Sequence, residues 1–235
     1  MPQSPEPRVW AVLPAAGIGA RMGGDRPKQY LELAGRTIIE TVIARLADHR
    51  GIHAVLPVIR GDDPYWPAVQ ERLRHLPNVL PAAPGGAERN ASVANGLEAL
   101  ADCADEDLVL IHDAVRPCVR GAEIDAVIAA AREGGGAILG VPVADTLKRV
   151  GADGEIQATV DRSGLWRAQT PQVFRAGKLR RAVARAREQG QPATDEAKVM
   201  EEAGYPVSVV AGREDNLKIT RSEDLELARL FLGVE

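Results

Sequence analysis

Four stretches of the sequence set chemically useful residues beside apolar runs that read as strands. The first is residues 13–24, Leu-Pro-Ala-Ala-Gly-Ile-Gly-Ala-Arg-Met-Gly-Gly, with Lys28 following shortly after. Small residues just past a strand let backbone N–H groups approach a triphosphate, and Arg21 and Lys28 add the charge that bare amides lack. The stretch reads as a phosphate cradle at the carboxyl end of a strand, where open α/β sheets bind ligands. Two commoner glycine motifs fit it worse. A dinucleotide fingerprint needs a glycine where Met22 stands, and a Walker loop needs Gly-Lys followed by Ser or Thr.

The second stretch, Ile111-His112-Asp113-Ala114-Val115-Arg116-Pro117, puts an acidic residue where a buried strand runs out. A carboxylate there either holds Mg²⁺ bridging nucleotide phosphates or caps the following turn, and Arg116 can meet a second anion. His112, inside an apolar strand, reads as a packed core residue. The third is Gly85-Gly86-Ala87-Glu88-Arg89-Asn90-Ala91-Ser92, entering a helix after a short strand. Its glycines permit close approach to a flat base and Ser92 can bond that base's edge, while an ordinary N-cap and first turn account for the same residues. In the fourth, residues 212–220, Lys218 and Thr220 alternate with Leu217 and Ile219. If the apolar pair faces the core, Lys218 faces the ligand edge of the sheet or water.

These stretches need a sheet to hold them. Apolar runs at residues 9–14 and 52–59 alternate with helical patterns, and those at 108–111 and 137–143 lack in/out alternation, as strands buried on both faces of a parallel sheet do. Helical spacing follows at Ile38, Ile39, Val42, Ile43 and Leu46, again near residues 68–76, and later at 178–188 and 195–203. A further strand is predicted at 206–210, and a last helix at 222–232 entered through Ser222. The fold class is α/β, a three-layer sandwich with a mostly parallel, Rossmann-like sheet. Between Val143 and Trp166 the rhythm breaks: residues 146–150 and 155–160 flank Asp153-Gly154, a type I′ hairpin signal. This makes an inserted β-hairpin arm of about residues 145–161.

The chain has 235 residues, 45% hydrophobic and 26% charged, with a formal net charge of −4. That suits one globular domain over residues 8–235 and gives no diffuse basic surface for nucleic acid or anionic lipid. Residues 1–7, rich in proline, read as a disordered lead-in, with neither a signal peptide nor a membrane-spanning stretch in view. Cys103 and Cys118 have no metal-ligand spacing and cannot build a disulfide framework, so a reduced, cytoplasmic setting is expected.

The order of the pieces, residues 13–17 leading to Arg21-Met22 and Pro27-Lys28-Gln29, then residues 112–117, Leu165-Trp166, Gln169-Thr170-Pro171-Gln172, Thr194-Asp195-Glu196 and residues 212–220, resembles the 2-C-methyl-D-erythritol 4-phosphate cytidylyltransferase family over nearly the whole chain. The resemblance implies transfer of a cytidylyl group from CTP to methylerythritol phosphate, with Mg²⁺ as cofactor. By it, Ala15, Ala16, Gly17, Gly86 and Ser92 hold cytosine and ribose, and Pro14, Gly19, Ala87 and Ala114 complete the nucleotide set. Ala87 stands where some relatives carry an acidic residue, so the contact there is through the backbone. Arg21 and Lys28 stabilise the transition state, Asp113 serves metal and ribose, and Arg162 and Lys218, with Arg116, Thr146 and Thr170, hold the acceptor. The chain ends at Glu235 without the fused second enzyme of some relatives, so a monofunctional enzyme is expected.

An isolated two-stranded ribbon is marginally stable in water, so the hairpin's edges call for a partner. A homodimer follows in which each arm covers its copy, and the resemblance adds that Thr146 and Arg162 face the partner's nucleotide. Two other readings compete: a cytidylyltransferase for another polyol phosphate such as ribitol 5-phosphate, and a regulatory nucleotide-binding protein without turnover.

Overall fold

A strand that is apolar on both faces must be covered on both, and the chain achieves this by returning helices to alternate sides of one sheet. The computed structural model describes residues 6–17, 26–190 and 194–233. In chain order these form β1 (Val9–Pro14), a 3-10 turn (Lys28–Tyr30), β2 (Glu32–Leu33), β3 (Arg36–Thr37), α1 (Ile38–Ala47), β4 (Ala54–Ile59), α2 (Trp66–Leu73), β5 (Ala83–Pro84), α3 (Arg89–Ala99), β6 (Leu108–Ile111) and α4 (Gly121–Glu133). There follow β7 (Gly136–Pro142), β8 (Leu147–Val150), β9 (Ile156–Val160), β10 (Trp166–Arg175), α5 (Ala176–Glu188), α6 (Glu196–Glu202), β11 (Ser208–Ala211) and α7 (Ser222–Leu232).

Seven strands form the central sheet in the order β11-β7-β10-β6-β1-β4-β5, and β10 alone runs against its neighbours. Successive β1 residues serve opposite layers. Val9, Ala11 and Leu13 pack with α1, α2 and α4, whereas Trp10 and Val12 pack with α3, α5 and α6. The predicted three-layer sandwich is therefore the observed architecture. Helix α3 lies so close to the sheet that a Cβ on Gly96 would stand 2.8 Å from Val12 Cγ1 and 2.9 Å from Val58 Cγ2.

The sequence reading predicts neither α4 nor the β2–β3 pair, and it needs three further corrections. It leaves out β10, the ten-residue strand wedged between β7 and β6. Gln169, Thr170, Pro171 and Gln172 break its apolar run, and the register shifts between Ala168 and Gln172, so no period of two is legible there. The hairpin itself forms, with β8 and β9 as a separate two-stranded sheet, but its turn is not type I′. Gly154 N donates to Gly151 O at 3.0 Å and Gly154 has φ +86°, while Asp153 is not among the residues of positive φ. A type I turn followed by a left-handed glycine fits that pattern, and type I′ would need positive φ at both central residues. Finally, α7 is entered through Arg221, whose N–H donates to the Asp224 carboxylate at 2.8 Å; Ser222 is already helical. Of the expected lead-in, residues 1–5 lie outside the described residues, and Glu6 pairs with Arg132 at 3.2 Å.

Asp107 knots the entry of β1 to the turn before β6. Its carboxylate accepts from Arg8 N at 2.8 Å, Trp10 Nε1 at 2.9 Å and Ala104 N at 3.1 Å. Burial alone would raise its pKa, but these donations outweigh burial and hold the carboxyl below the usual carboxylate range. A carboxyl depressed in the folded state adds stability above its unfolded pKa, near 4, and loses it as pH falls through the folded value. Asp107→Ala is expected to lower unfolding free energy at neutral pH by about 1–3 kcal/mol. Urea titrations on both sides of about pH 4 check this: the parent should lose more stability on acidification than the variant, and equal losses would remove Asp107 from the account.

Candidate active site

Strands β1, β4 and β6 run parallel, and their carboxyl ends, with the turn into α3, open a cleft of about 460 Å³. Its floor is set by the chain leaving β1. Ala15 N donates to Val58 O at 2.8 Å, and the buried Gln29 side chain donates to Ala15 O at 2.9 Å and Gly17 O at 3.0 Å. The same 3-10 turn carries Lys28 onto the cleft wall. Opposite, a Cβ on Gly85 would stand 2.2 Å from the Ala16 Cβ, so only glycine lets the two loops meet. Ser92 organises that side: its Oγ accepts from Gly86 N at 3.0 Å and donates to Glu88 O at 3.1 Å. Glu88 is the N-cap of α3 and Arg89 to Ser92 lie in its first turn, so the stretch is the helix start that the alternative reading named, with Ser92 inside the helix rather than capping it.

Asp113 leaves the end of β6 nearly buried and ringed by cations. Its Oδ2 lies 3.0 Å from Lys218 Nζ and 3.3 Å from Arg116 Nε, and its Oδ1 lies 3.5 Å from Arg89 Nε. Burial pushes its pKa up, but the charges of Lys218, Arg89 and Arg116 win and hold it well below the carboxylate range. The site therefore keeps a permanent anion at the strand end.

Beneath it, buried His112 sets the geometry. Its Nε2 lies 3.1 Å from the Arg116 carbonyl, which can only accept, so Nε2 carries the proton. Burial pushes the imidazole pKa down to about 4, so at neutral pH Nδ1 is bare and accepts from the Thr170 hydroxyl at 3.0 Å. Thr170 Oγ1 in turn accepts from Asp113 N at 3.0 Å. The chain His112, Thr170, Asp113 thus locks the backbone that presents the carboxylate. The reading of His112 as a packed core residue agrees with its full burial.

Lys218 arrives on a loop without regular structure, tied on three sides. Asn216 O accepts from Arg116 Nη1 at 2.7 Å, Asn216 Nδ2 donates to Thr170 O at 2.9 Å, and Ile219 N donates to Val115 O at 2.9 Å. Asp215 accepts from Arg120 Nη2 at 2.6 Å and Arg213 Nε at 2.9 Å. With Ile219 buried, Lys218 lies on the opposite side of the chain, on the open cleft at the ligand edge and partly exposed to solvent.

Of the residues singled out from sequence, the structure gathers Pro14, Ala15, Ala16, Gly17, Lys28, Gly86, Ala87, Ser92, Asp113, Ala114 and Lys218 on this one cleft. Arg116 and Thr170 stand just behind it, engaged with Asp113. Thr146 and Arg162 are exposed on and beside the arm and are not among the lining residues. Gly19 and Arg21 lie outside the described residues. Sequence reasoning assigned no role to Arg89, Glu196, Asn216 or Gln29. All four sit in stretches already singled out, but their partners lie in distant segments, so spacing carried no signal.

Among the described residues, no three His, Cys, Asp or Glu side chains are grouped to hold a metal ion. The Asp113 carboxylate in a polyphosphate-sized cleft fits Mg²⁺ arriving with a nucleotide, since that ion commonly takes one or two carboxylates plus substrate phosphates. It does not suit a resident metal cage.

Comparison with known proteins gives the same answer over the whole chain. The family model of 2-C-methyl-D-erythritol 4-phosphate cytidylyltransferase matches residues 9–234. A protein of that name from Pseudomonas entomophila (strain L48) is 48% identical over 228 residues, covering 95% of each chain. One from Pseudomonas aeruginosa PAO1 is 47% identical, covering 98% of this chain and 99% of its own. A crystal structure of 4-diphosphocytidyl-2C-methyl-D-erythritol synthase superposes with a TM-score of 0.85 at 38% identity, covering 97% of this chain and 100% of its own. With a doubly covered, mostly parallel sheet, a small-residue loop at its carboxyl edge and an anion ringed by cations beside it, this chain belongs to the 2-C-methyl-D-erythritol 4-phosphate cytidylyltransferase family.

Proposed function

We infer that the cleft is where the chain carries out its family's reaction: the cytidylyl group of CTP passes to 2-C-methyl-D-erythritol 4-phosphate, giving 4-diphosphocytidyl-2-C-methyl-D-erythritol and pyrophosphate in non-mevalonate isoprenoid precursor synthesis. The convergence of the β1 loop, Lys28 and the Asp113 cluster on one cleft carries the residue assignments. Backbone groups of Ala15, Ala16, Gly17, Gly86 and Ala87, with Ser92, take cytosine and ribose. Arg116, Thr170 and Lys218, cationic or polar and next to Asp113, take the acceptor.

The acceptor's phosphate dianion is already a competent nucleophile and needs no general base. One of its oxygens bonds to the α-phosphorus as that phosphorus loses its bond to the α,β-bridging oxygen, and pyrophosphate leaves with the electron pair. Two polyanions must meet, so cations have to hold both and neutralise charge growing on the α-phosphoryl oxygens. Lys28 and Arg21 take that task. Held by Asp113 and the nucleotide phosphates, Mg²⁺ would supply further neutralising charge. Both cysteines are buried and unbonded, which supports a reducing, cytoplasmic setting. No described helix is long and apolar enough to cross a membrane.

The enzyme acts as a homodimer joined through its arms. In support, β8 and β9 form a ribbon of their own, and Val150 and Ile156 are 52% and 64% exposed. Pairing with a second copy covers these side chains and brings Thr146 and Arg162 to the partner's acceptor.

Pyrophosphate release tests the reaction: it is expected with CTP and methylerythritol phosphate together and not when ribitol 5-phosphate replaces that acceptor. Lys28→Ala and Arg21→Ala should each cut turnover by roughly 10² to 10³ with little loss of CTP affinity, since donors aimed at developing charge act in the transition state. Unchanged turnover with weaker CTP binding would reassign either residue to the ground state. Asp113→Asn should raise the Mg²⁺ concentration needed for activity, because an amide holds a hard dication less well; superimposable Mg²⁺ titrations would leave Asp113 without a metal. For the shared site, Asp113→Asn is co-expressed with Arg162→Ala. Random pairing restores about a quarter of parental sites if arms are exchanged. No recovery on mixing would place Arg162 in its own subunit's site.

A further inference from the structure

Two segments that the resemblance singled out, Gln172 and Thr194-Asp195-Glu196, meet in the structure and reach Asp113. Gln172 Nε2 donates to Asp195 Oδ2 at 2.9 Å, and its Oε1 accepts from Ala197 N at 3.0 Å. Asp195 also accepts from Lys198 N at 3.1 Å as the N-cap of α6. Strand β10 thereby clamps the first turn of α6 and fixes the direction in which Glu196 leaves it. The Glu196 carboxylate is buried at 3% residue exposure, with Oε1 accepting from Arg89 Nη1 at 2.5 Å and Oε2 buried without a partner. A carboxylate withdrawn from water is strongly disfavoured unless its charge is met. Here a single guanidinium meets it, and that guanidinium's Nε turns to Asp113.

Arg89 sits at the first position of α3 and lines the cleft. A long cation in that place, held by nothing behind it, would turn toward the polyphosphate. Glu196 holds it from the protein side. The other two cations on Asp113, Arg116 and Lys218, are the groups assigned to the acceptor. Arg89 is the one counter-charge of the three that is also paired with a second carboxylate of the protein, Glu196.

We propose that Glu196 is a positioning residue for cytidylyl transfer: acting through Arg89, it keeps the Asp113 carboxylate oriented while Lys218 and Arg116 engage the acceptor. This rests on the reading of Asp113, Arg116 and Lys218 as site residues.

The experiment is a double-mutant cycle on the full-length enzyme, reading kcat, KM for CTP and melting temperature for Glu196→Gln, Arg89→Gln and the pair. Each single variant is expected to lower kcat about tenfold with KM for CTP little changed, and the pair to fall no lower than Arg89→Gln alone, because coupled residues are not additive. Losses that multiply in the pair would overturn the proposal. So would a Glu196→Gln enzyme that melts earlier but turns over at the parental rate. If Glu196→Gln does not fold, Glu196→Asp, which keeps the charge but withdraws it by one methylene, replaces it. That change should slow turnover when Arg89 is present and leave an Arg89→Gln enzyme unaffected; equal slowing in both overturns the proposal. Asp113→Asn runs alongside. Parental turnover in that variant would remove the site reading itself, whereas an impaired Asp113→Asn beside an unimpaired Glu196→Gln removes the role of Glu196 alone.

Discussion

A buried carboxylate that stays ionised demands cations, and the arrangement around Asp113 is organised by that demand. Asp113 is held at the end of β6 by a backbone bond to Thr170, and its partners come from three places in the chain: Arg116 from the same turn, Arg89 from the start of α3 and Lys218 from the loop before α7. Removing Arg89 would leave the buried Glu196 carboxylate without its cation in a poorly solvated place, where an uncompensated ion costs several kcal/mol. The cluster is thus a constraint on three separate segments at once. With Lys28, Arg89 and Lys218 against Glu88 and Asp113 on its lining, the cleft also keeps an excess of positive charge, as a site for joining two phosphorylated molecules needs.

The constraint propagates outward through hydrogen bonds rather than through apolar contact. Lys218 reaches Asp113 because Asn216 and Ile219 tie its loop to Arg116, Thr170 and Val115. That loop is anchored again at the start of α4, where Glu123 accepts from Arg213 N at 3.0 Å and Arg120 pairs with Asp215. Antiparallel β10 is the common backing. From one strand, Gln169, Thr170 and Gln172 reach the Lys218 loop, the Asp113 backbone and α6. A parallel strand in that position would need a crossover to reach it, whereas β10 returns directly from the arm and delivers three polar side chains to the ligand edge of the sheet.

The arm contrasts with this densely bonded centre. Most side chains of β8 and β9 are exposed, and Trp166, where β10 begins, is 42% exposed. Val150 and Ile156 are the large apolar side chains that this two-stranded ribbon leaves exposed. The centre is closed by its own bonds, and the arm carries its unsatisfied surface outward.

Much of the α/β framework was legible in the sequence, because its causes are local. Runs such as residues 108–111 are apolar without alternation, and α1 repeats its apolar positions at helical spacing, so strands, helices and their layering follow from side-chain periodicity. Glycine and small residues after β1, and an acid after β6, marked the ligand edge for the same reason. Strand β10 escaped because its polar residues serve partners across the sheet and spoil any period of two. The turn of the arm was misread because Asp-Gly suits either a two-residue turn or a type I turn with a left-handed glycine, and backbone pairing decides which. Only the tertiary structure could join Arg89 to both Asp113 and Glu196, residues 24 and 107 positions away along the chain. Ion pairing depends on distance in space, and no spacing rule relates segments that the sheet brings together from different connections.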